Sequence, residues 1–247
     1  IPVFPNIKEA FIKHRHRPDM IVVSVSTTNH FNIINSVVNI YNPDIILCEK
    51  PFCNNYSEAL KISKICKQKK IKLFVNYVRH CLPGVKLIKS LINKGSIKTP
   101  IKGSIWFSRG FFNNGSHFIE LLNYWIGPVK KVSLIRGNCK NQYNNKIQDF
   151  RVEFKNGLVD FLENPHDNYS HQSIELLSRN NRIIWDHQEN LYLQNLIINK
   201  RYPQYKIIDK KSKKIDLKSN KIQLNVYNEI SKMFKKQKFE ICHYDDA

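Results

Sequence analysis

Glycine is scarce in this chain, and it comes late: the eight glycines among 247 residues all lie at or after Gly84. That excludes from the first third a Gly-x-Gly-x-x-Gly turn, the tight loop whose backbone amides cradle a pyrophosphate, and none occurs further on. The cysteines, Cys48, Cys53, Cys66, Cys81, Cys139 and Cys242, never show Cys-x2-Cys spacing, which argues against a zinc or redox motif; no metal site is expected. Scattered among apolar neighbours, they fit a reducing, cytoplasmic compartment. Long apolar runs are also missing. Met20–Val23 is far too short to cross a bilayer, and the first six residues lack the basic-then-apolar order of a secretory signal, so no membrane partner is expected.

Acidic residues are few, 20 against 40 basic ones, for a net charge of +20. A nucleic-acid surface would concentrate that charge and interleave it with exposed aromatics. Here lysines run through every segment and are dense only at residues 210–214 and 235–238, while Asn and Ile are abundant too. A compositional drift and a solvated surface explain the charge, and no nucleic-acid partner is expected. What is plentiful is apolar material. At 42% hydrophobic residues the chain can build one large core or two smaller ones, and disorder is not the default.

Along the chain, Asn6 before an apolar-periodic run reads as a capped helix stopped by Pro18 and Asp19. Residues 20–26 form a compact β-branched run, read as a buried parallel strand, followed by a helix from Thr27 onward. The alternation repeats: strand 45–48, helix 56–69, strand 71–75, helix 83–93. Three strand–helix pairs indicate a doubly wound parallel sheet, here a partial Rossmann domain over residues 1–98. Ligands of such sheets bind beyond the carboxyl ends of the strands. Thr27, Thr28, Asn29 and His30, then Glu49, Lys50 and Pro51, then Asn76, Tyr77, Val78 and Arg79 occupy those positions. After Pro100 the texture becomes α+β: a strand at 102–108, a helix at 114–126, then strands near 132–136, 150–154, 158–162, 173–177 and 182–186, and a helix at 225–235. Residues 99–247 are thus read as a second domain with a mainly antiparallel open sheet, the turns at 155–157 and 178–181 supplying hairpin chemistry. The lysine-rich stretch 206–221 reads as a mobile surface hairpin or loop.

Cys48-Glu49-Lys50-Pro51 is the sharpest local feature, with a lysine that points into the crevice at a strand's end. Thr-Thr-Asn-His after one strand, Glu-Lys-Pro after the next, Asn76-Tyr77-Val78-Arg79 after the third, and Asn113-x-Gly115-x-His117-x-x-Glu120 downstream follow in order and register. Over nearly the whole chain this set resembles the Gfo/Idh/MocA family, named for glucose–fructose oxidoreductase and inositol dehydrogenase. The resemblance implies a Rossmann domain that binds NAD or NADP through the three strand-end turns. It implies hydride transfer at a sugar, nucleotide-sugar or cyclitol carbon, and a homo-oligomer paired through the C-terminal sheet. It further implies that Lys50 lies between nicotinamide and substrate and that His117 serves as general base or acid; Asn113, a neutral amide, can orient a hydroxyl there but takes up no proton. The residue types suit this chemistry, since hydride loss from a carbinol needs a proton acceptor near neutral pH. Gly115 is read as permitting close approach of substrate or backbone.

The family pattern is not met everywhere. Asn113 stands where the family has an aspartate, Thr28 where it has a proline, and Glu120 where it has an aspartate. The glycine turn is missing, so the chain reads as clipped, severely in front and slightly behind. A poor dinucleotide binder is then expected. The other reading is a non-catalytic binding or structural descendant that has lost dinucleotide binding. His14 and His16 share no helix face, and His166, Asp167 and His171 read as loop residues. Tyr124 and Trp125 read as core, and of Trp106 and Phe107 one is expected to be buried.

Overall fold

A computed structural model describes residues 2–13, 16–140, 146–166 and 168–247. His14 and Asp167 lie outside the described residues. The chain forms two compact units, one of residues 1–77 with 229–247, the other of residues 78–228.

The first unit opens with α1 (Ile7–Lys13), capped as the sequence implies: the Asn6 side-chain oxygen Oδ1 accepts the Glu9 backbone amide at 2.9 Å, and Asn6 Nδ2 donates to the Glu9 carboxylate at 3.0 Å. Three parallel strands follow in the order β1 (Met20–Val23), β2 (Ile45–Cys48), β3 (Lys72–Val75). Strand β2 is buried along its whole length, which is why it is apolar without alternation. Between the strands run α2 (Thr27–Ile40), burying Ile34, Val37 and Val38, and α3 (Tyr56–Gln68), burying Ile62 and Cys66. Strand β1 is shorter than residues 20–26 because Ser26 already serves as the α2 N-cap, its backbone extended at φ −63°, ψ 146°. The chain's end returns to this unit. The Val75 amide donates to the Cys242 carbonyl at 3.1 Å, Phe74 and His243 form an antiparallel bridge, and Cys242 is fully buried.

The second unit is an eight-stranded sheet centred on β4 (Ile101–Phe107). On one side of it lie β7 (Gly157–Glu163), β6 (Lys146–Phe154) and β5 (Val129–Lys140); on the other, β8 (Ser173–Leu177), β9 (Asn181–Trp185), β10 (Leu191–Ile198) and β11 (Lys206–Ile215). All pairings are antiparallel except β4 with β7. Helices α4 (Pro83–Asn93) and α5 (Ser116–Ile126) share its core through Val85, Ile88, Leu121, Leu122 and Trp125, with Ile105, Phe107, Phe161 and Trp185 from the sheet. Trp125 is buried and its indole donates to the Val85 carbonyl at 3.0 Å. Helix α6 (Ile222–Phe234) leads back to the first unit.

Two differences from the sequence reading have physical causes. A division at residue 98 puts α4 with the first unit, whereas Val85 and Ile88 bury in the core of the second. An amphipathic helix declares that it has a buried face, not which sheet lies beneath it. Of the two readings of the stretch from Lys206, hairpin or loop, the hairpin is the one found: Lys206–Ile215 is the edge strand β11, paired antiparallel with β10, a strand the sequence reading missed. Lysines along an edge strand protect it from pairing with other chains, so the same residues that read as a loop suit an edge.

Candidate functional site

In the first unit the carboxyl ends of β1, β2 and β3 are tied together one residue beyond the strands. The Glu49 amide donates to the Val23 carbonyl at 2.9 Å and the Asn76 amide to the Cys48 carbonyl at 2.7 Å. The buried Asn76 side chain then donates to the Glu49 carboxylate at 2.6 Å. Glu49 and Asn76, 27 residues apart in sequence, thus form one polar contact across adjacent strand ends. Lys50 and Pro51 follow directly, half-buried and joined by a cis peptide, and Phe52 then drops into the core.

Thr28 and Asn29 are exposed and Thr27 half-buried at the first turn of α2. The Ser26 hydroxyl lies 3.1 Å from that of Thr28 and accepts the Asn29 side-chain amide at 3.0 Å. A helix N-terminus lined with small polar groups favours an anionic or polar ligand. His30 differs from its neighbours. It is fully buried, with Nδ1 3.0 Å from the Phe52 carbonyl oxygen and Nε2 3.0 Å from that of Val25. Its ring therefore joins two loops rather than facing a ligand. Burial pushes the neighbouring Cys48 thiol up, with Cys53 and Glu49 adding to the effect.

In the second unit, Arg79 sits in the short 3-10 turn Val78–Cys81. It donates to Gln172 at 2.8 Å and lies 5.3 Å above the Phe118 ring. Burial pulls its pKa below the usual guanidinium value, with Glu189 opposing. Arg79, Gln172, Ser173, Trp185, Asp186 and His187 line a cavity of about 250 Å³. The tetrapeptide read as one turn is thus split between units, Asn76 in the first and Arg79 in the second.

The approach to His117 begins at Arg109 and Gly110, with φ of 67° and 81°, followed by a π-helical turn Phe111–Gly115 and then α5. Such π-turns recur at functional sites. Asn113 is exposed, whereas His117 is 7% exposed. At Gly115 a Cβ would come 2.9 Å from the Phe111 ring and 3.2 Å from that of Phe107. Aromatic packing under the turn therefore accounts for the glycine, in place of the close approach of substrate or backbone expected there. One turn beyond His117, the Glu120 carboxylate meets Nδ1 of the buried His80, whose ring lies tilted at 36° against Tyr124 with centroids 3.9 Å apart. The sequence reading missed His80; its only signal was the recurrence of a titratable residue beside Arg79. Ser108 anchors the following loop, its hydroxyl donating to the His171 carbonyl at 3.1 Å and accepting the His171 amide at 2.9 Å. Phe107 is buried and Trp106 is 40% exposed, as alternation along β4 requires.

Residues 1–77 match the family model described as the oxidoreductase family, NAD-binding Rossmann fold, of the Gfo/Idh/MocA group. Over this segment the chain resembles the Gfo/Idh/MocA oxidoreductases. No curated protein sequence matches the chain significantly. Solved structures resemble it over almost its whole length. An oxidoreductase from Agrobacterium radiobacter, in complex with NAD+, L-tartaric acid and magnesium, is 14% identical with a TM-score of 0.71, covering 98% of this chain and 76% of its own. UDP-N-acetylglucosamine 3-dehydrogenase GnnA from Acidithiobacillus ferrooxidans is 11% identical with a TM-score of 0.75, covering 99% and 78%. A super-repressor mutant of Gal80p from Saccharomyces cerevisiae is 12% identical with a TM-score of 0.71, covering 92% and 74%. At these identities the likeness establishes the fold alone: a parallel Rossmann-type sheet followed by a mainly antiparallel one.

Against the dinucleotide that the family binds, the residues of the first unit fit one end. Polar groups at the start of α2, the Glu49–Asn76 contact and Lys50 can meet a carboxamide, a ribose or a reacting oxygen. A glycine turn for the pyrophosphate is not among the 247 residues.

Proposed function

We propose that the chain takes part in hydride transfer between NAD or NADP and an alcohol or ketone carbon of a sugar, nucleotide sugar or cyclitol. The observation that carries this reading is the Glu49–Asn76 contact at adjacent strand ends, with Lys50 next in sequence, inside the segment that matches the family. The nicotinamide, when bound, supplies or accepts the hydride. Thr27, Thr28, Asn29, Glu49, Pro51 and Asn76 hold and orient its end of the cofactor. In the alcohol-oxidising direction the Lys50 ammonium would stabilise the negative charge that grows on a reacting oxygen; the role of proton acceptor falls, on the family resemblance, to the imidazole of His117. Asn113 offers an amide that orients a hydroxyl and takes up no proton. The exposed face of the C-terminal sheet would serve pairing of subunits, which supports a homo-oligomer, and the compartment would be the cytoplasm.

The test is reduction of NAD+ and NADP+, read by nicotinamide absorbance with a panel of sugars, nucleotide sugars and cyclitols, in the unmodified protein and in Lys50→Ala. Loss of turnover by about 10²- to 10⁴-fold with cofactor affinity nearly unchanged is the expected result. Unchanged turnover, or equal loss of both, overturns the role of Lys50. Asn113, a neutral amide where the family has an aspartate, favours a second reading, a non-catalytic binding or structural descendant. That reading is selected if no panel member is turned over and NADH binds no better than its nicotinamide mononucleotide half.

A further inference from the structure

We infer that His30 is a positioning residue, an imidazole clamp that fixes the Lys50 loop against the loop after β1. The inference rests on the proposed role of Lys50 for its functional consequence, but on geometry alone for the clamp.

The tripeptide of Glu49, Lys50 and Pro51 is held on both sides. Upstream, the Glu49 amide is bonded to Val23 and its carboxylate to Asn76. Downstream, the Phe52 side chain is 6% exposed in the core, and its carbonyl oxygen stands 3.0 Å from His30 Nδ1. The other nitrogen, Nε2, stands 3.0 Å from the carbonyl oxygen of Val25, directly before the α2 N-cap Ser26. One ring therefore references the loop carrying Lys50 to the loop carrying Thr27, Thr28 and Asn29. These are the two turns whose mutual spacing sets where a ligand's reacting atom lies relative to the ammonium. The ring belongs to the fourth residue of α2 and is fully buried, so it has no solvent alternative. A buried carbonyl deprived of its donor loses about as much as an unmade hydrogen bond costs. Cys48 is the other titratable group at the ring, its Sγ 3.4 Å from Nδ1. A ring that accepts there from the thiol cannot at the same time donate to Phe52 from the same nitrogen.

The clamp is tested by ring-nitrogen NMR and by trace labelling of lysines. Both partners are carbonyl oxygens, so the clamp requires a proton on each ring nitrogen; in the unmodified protein, 15N signals of the His30 ring should show both, and an unprotonated Nδ1 or Nε2 at neutral pH overturns the clamp without any variant having to fold. Trace acetylation with acetic anhydride, mapped peptide by peptide, compares Lys50 with Lys61 and Lys64 of α3 as internal standards. Asn at position 30 keeps a donor near the place of Nδ1, and Gln near that of Nε2. His30→Gln should raise Lys50 labelling by about three- to tenfold, the shift expected on losing one net hydrogen bond, while His30→Asn leaves it within about twofold. Equal effects of the two, or labelling of all three lysines rising together, reduce His30 to a general stabilising residue and overturn the inference. Protection of Lys50 by NADH is read in the same experiment. Lys50 unprotected by NADH with the clamp intact refutes the functional role of Lys50, not the clamp.

Discussion

The buried pair of His80 and Glu120 offers the most decisive perturbation of the second unit. Its side chains are 8% and 3% exposed, and Glu120 Oε2 has no hydrogen-bond partner among the described residues. Two desolvated partners whose remaining lone pairs are incompletely matched should contribute little as a pair, yet be costly to separate. Glu120→Leu alone strands His80, and His80→Phe alone strands the carboxylate. Each should cost about 3–5 kcal/mol, or a fall in Tm of about 6–20 °C for a chain of this size. The double change His80→Phe/Glu120→Leu removes both polar groups together. It keeps a ring to stack on Tyr124, where the His80 centroid now lies 3.9 Å away. It should return to within about 1–2 kcal/mol of the unmodified protein. Urea unfolding of the four proteins gives the coupling directly. Singles costing under about 1 kcal/mol, or a double equal to their sum, would refute the account of the pair as mutually dependent.

Two further outcomes follow from packing and burial. Gly103→Ala places a Cβ 1.9 Å from the Glu175 carbonyl oxygen, on the backbone of the paired strand β8. Nothing flexible can yield there, so the change should cost about 3 kcal/mol or more by denaturant unfolding, and a loss under about 1 would contradict the β4–β8 register. Burial pushes the Cys66 thiol up to about 11, and burial followed by the Glu58 charge pushes Cys53 up to about 12, from an ordinary 9.0. Iodoacetamide at pH 8 should therefore alkylate them about a hundredfold and a thousandfold more slowly than in the unfolded chain. Because the fold favours the protonated thiols, their contribution to stability is complete below pH 9 and is lost as pH rises through about 11 for Cys66 and about 12 for Cys53. Rapid alkylation of either in the native protein would show that the burial is not maintained.

What the sequence made legible was periodic. Residues 45–48 and 83–93 appear as strand and helix with the bounds their apolar patterns imply, because burial on both faces, or on one helical face, writes itself into residue order. The candidate site was legible only as a set of positions at strand ends. Nothing in Thr-Thr-Asn-His distinguishes the exposed Asn29 from the fully buried His30; that depends on where Val25 and Phe52 place their carbonyls. Likewise the pairing of His80 with Glu120 joins residues 40 apart, and no local pattern encodes it. Strand β10 went unread because Gln194 and Asn195 interrupt its apolar alternation, where the pairing with β11 itself shifts register.

Taken with the proposed function, these contacts separate two properties that a Rossmann site usually combines. Affinity for a dinucleotide comes largely from amides that meet the pyrophosphate. In the proposed function, orientation of the reacting end falls to different groups: the Glu49–Asn76 contact and the carbonyls gathered by His30. An ångström of displacement at a reacting centre can lower rate without a comparable loss of binding. Perturbing Asn76 or His30 should therefore appear in turnover, and in the placement of Lys50, before it appears in cofactor affinity. A variant such as Asn76→Asp leaves size unchanged but sets a second carboxylate against Glu49 at a contact now 2.6 Å long. The like charges must separate, and the loop bearing Lys50 is the part adjoining Glu49 that has to move.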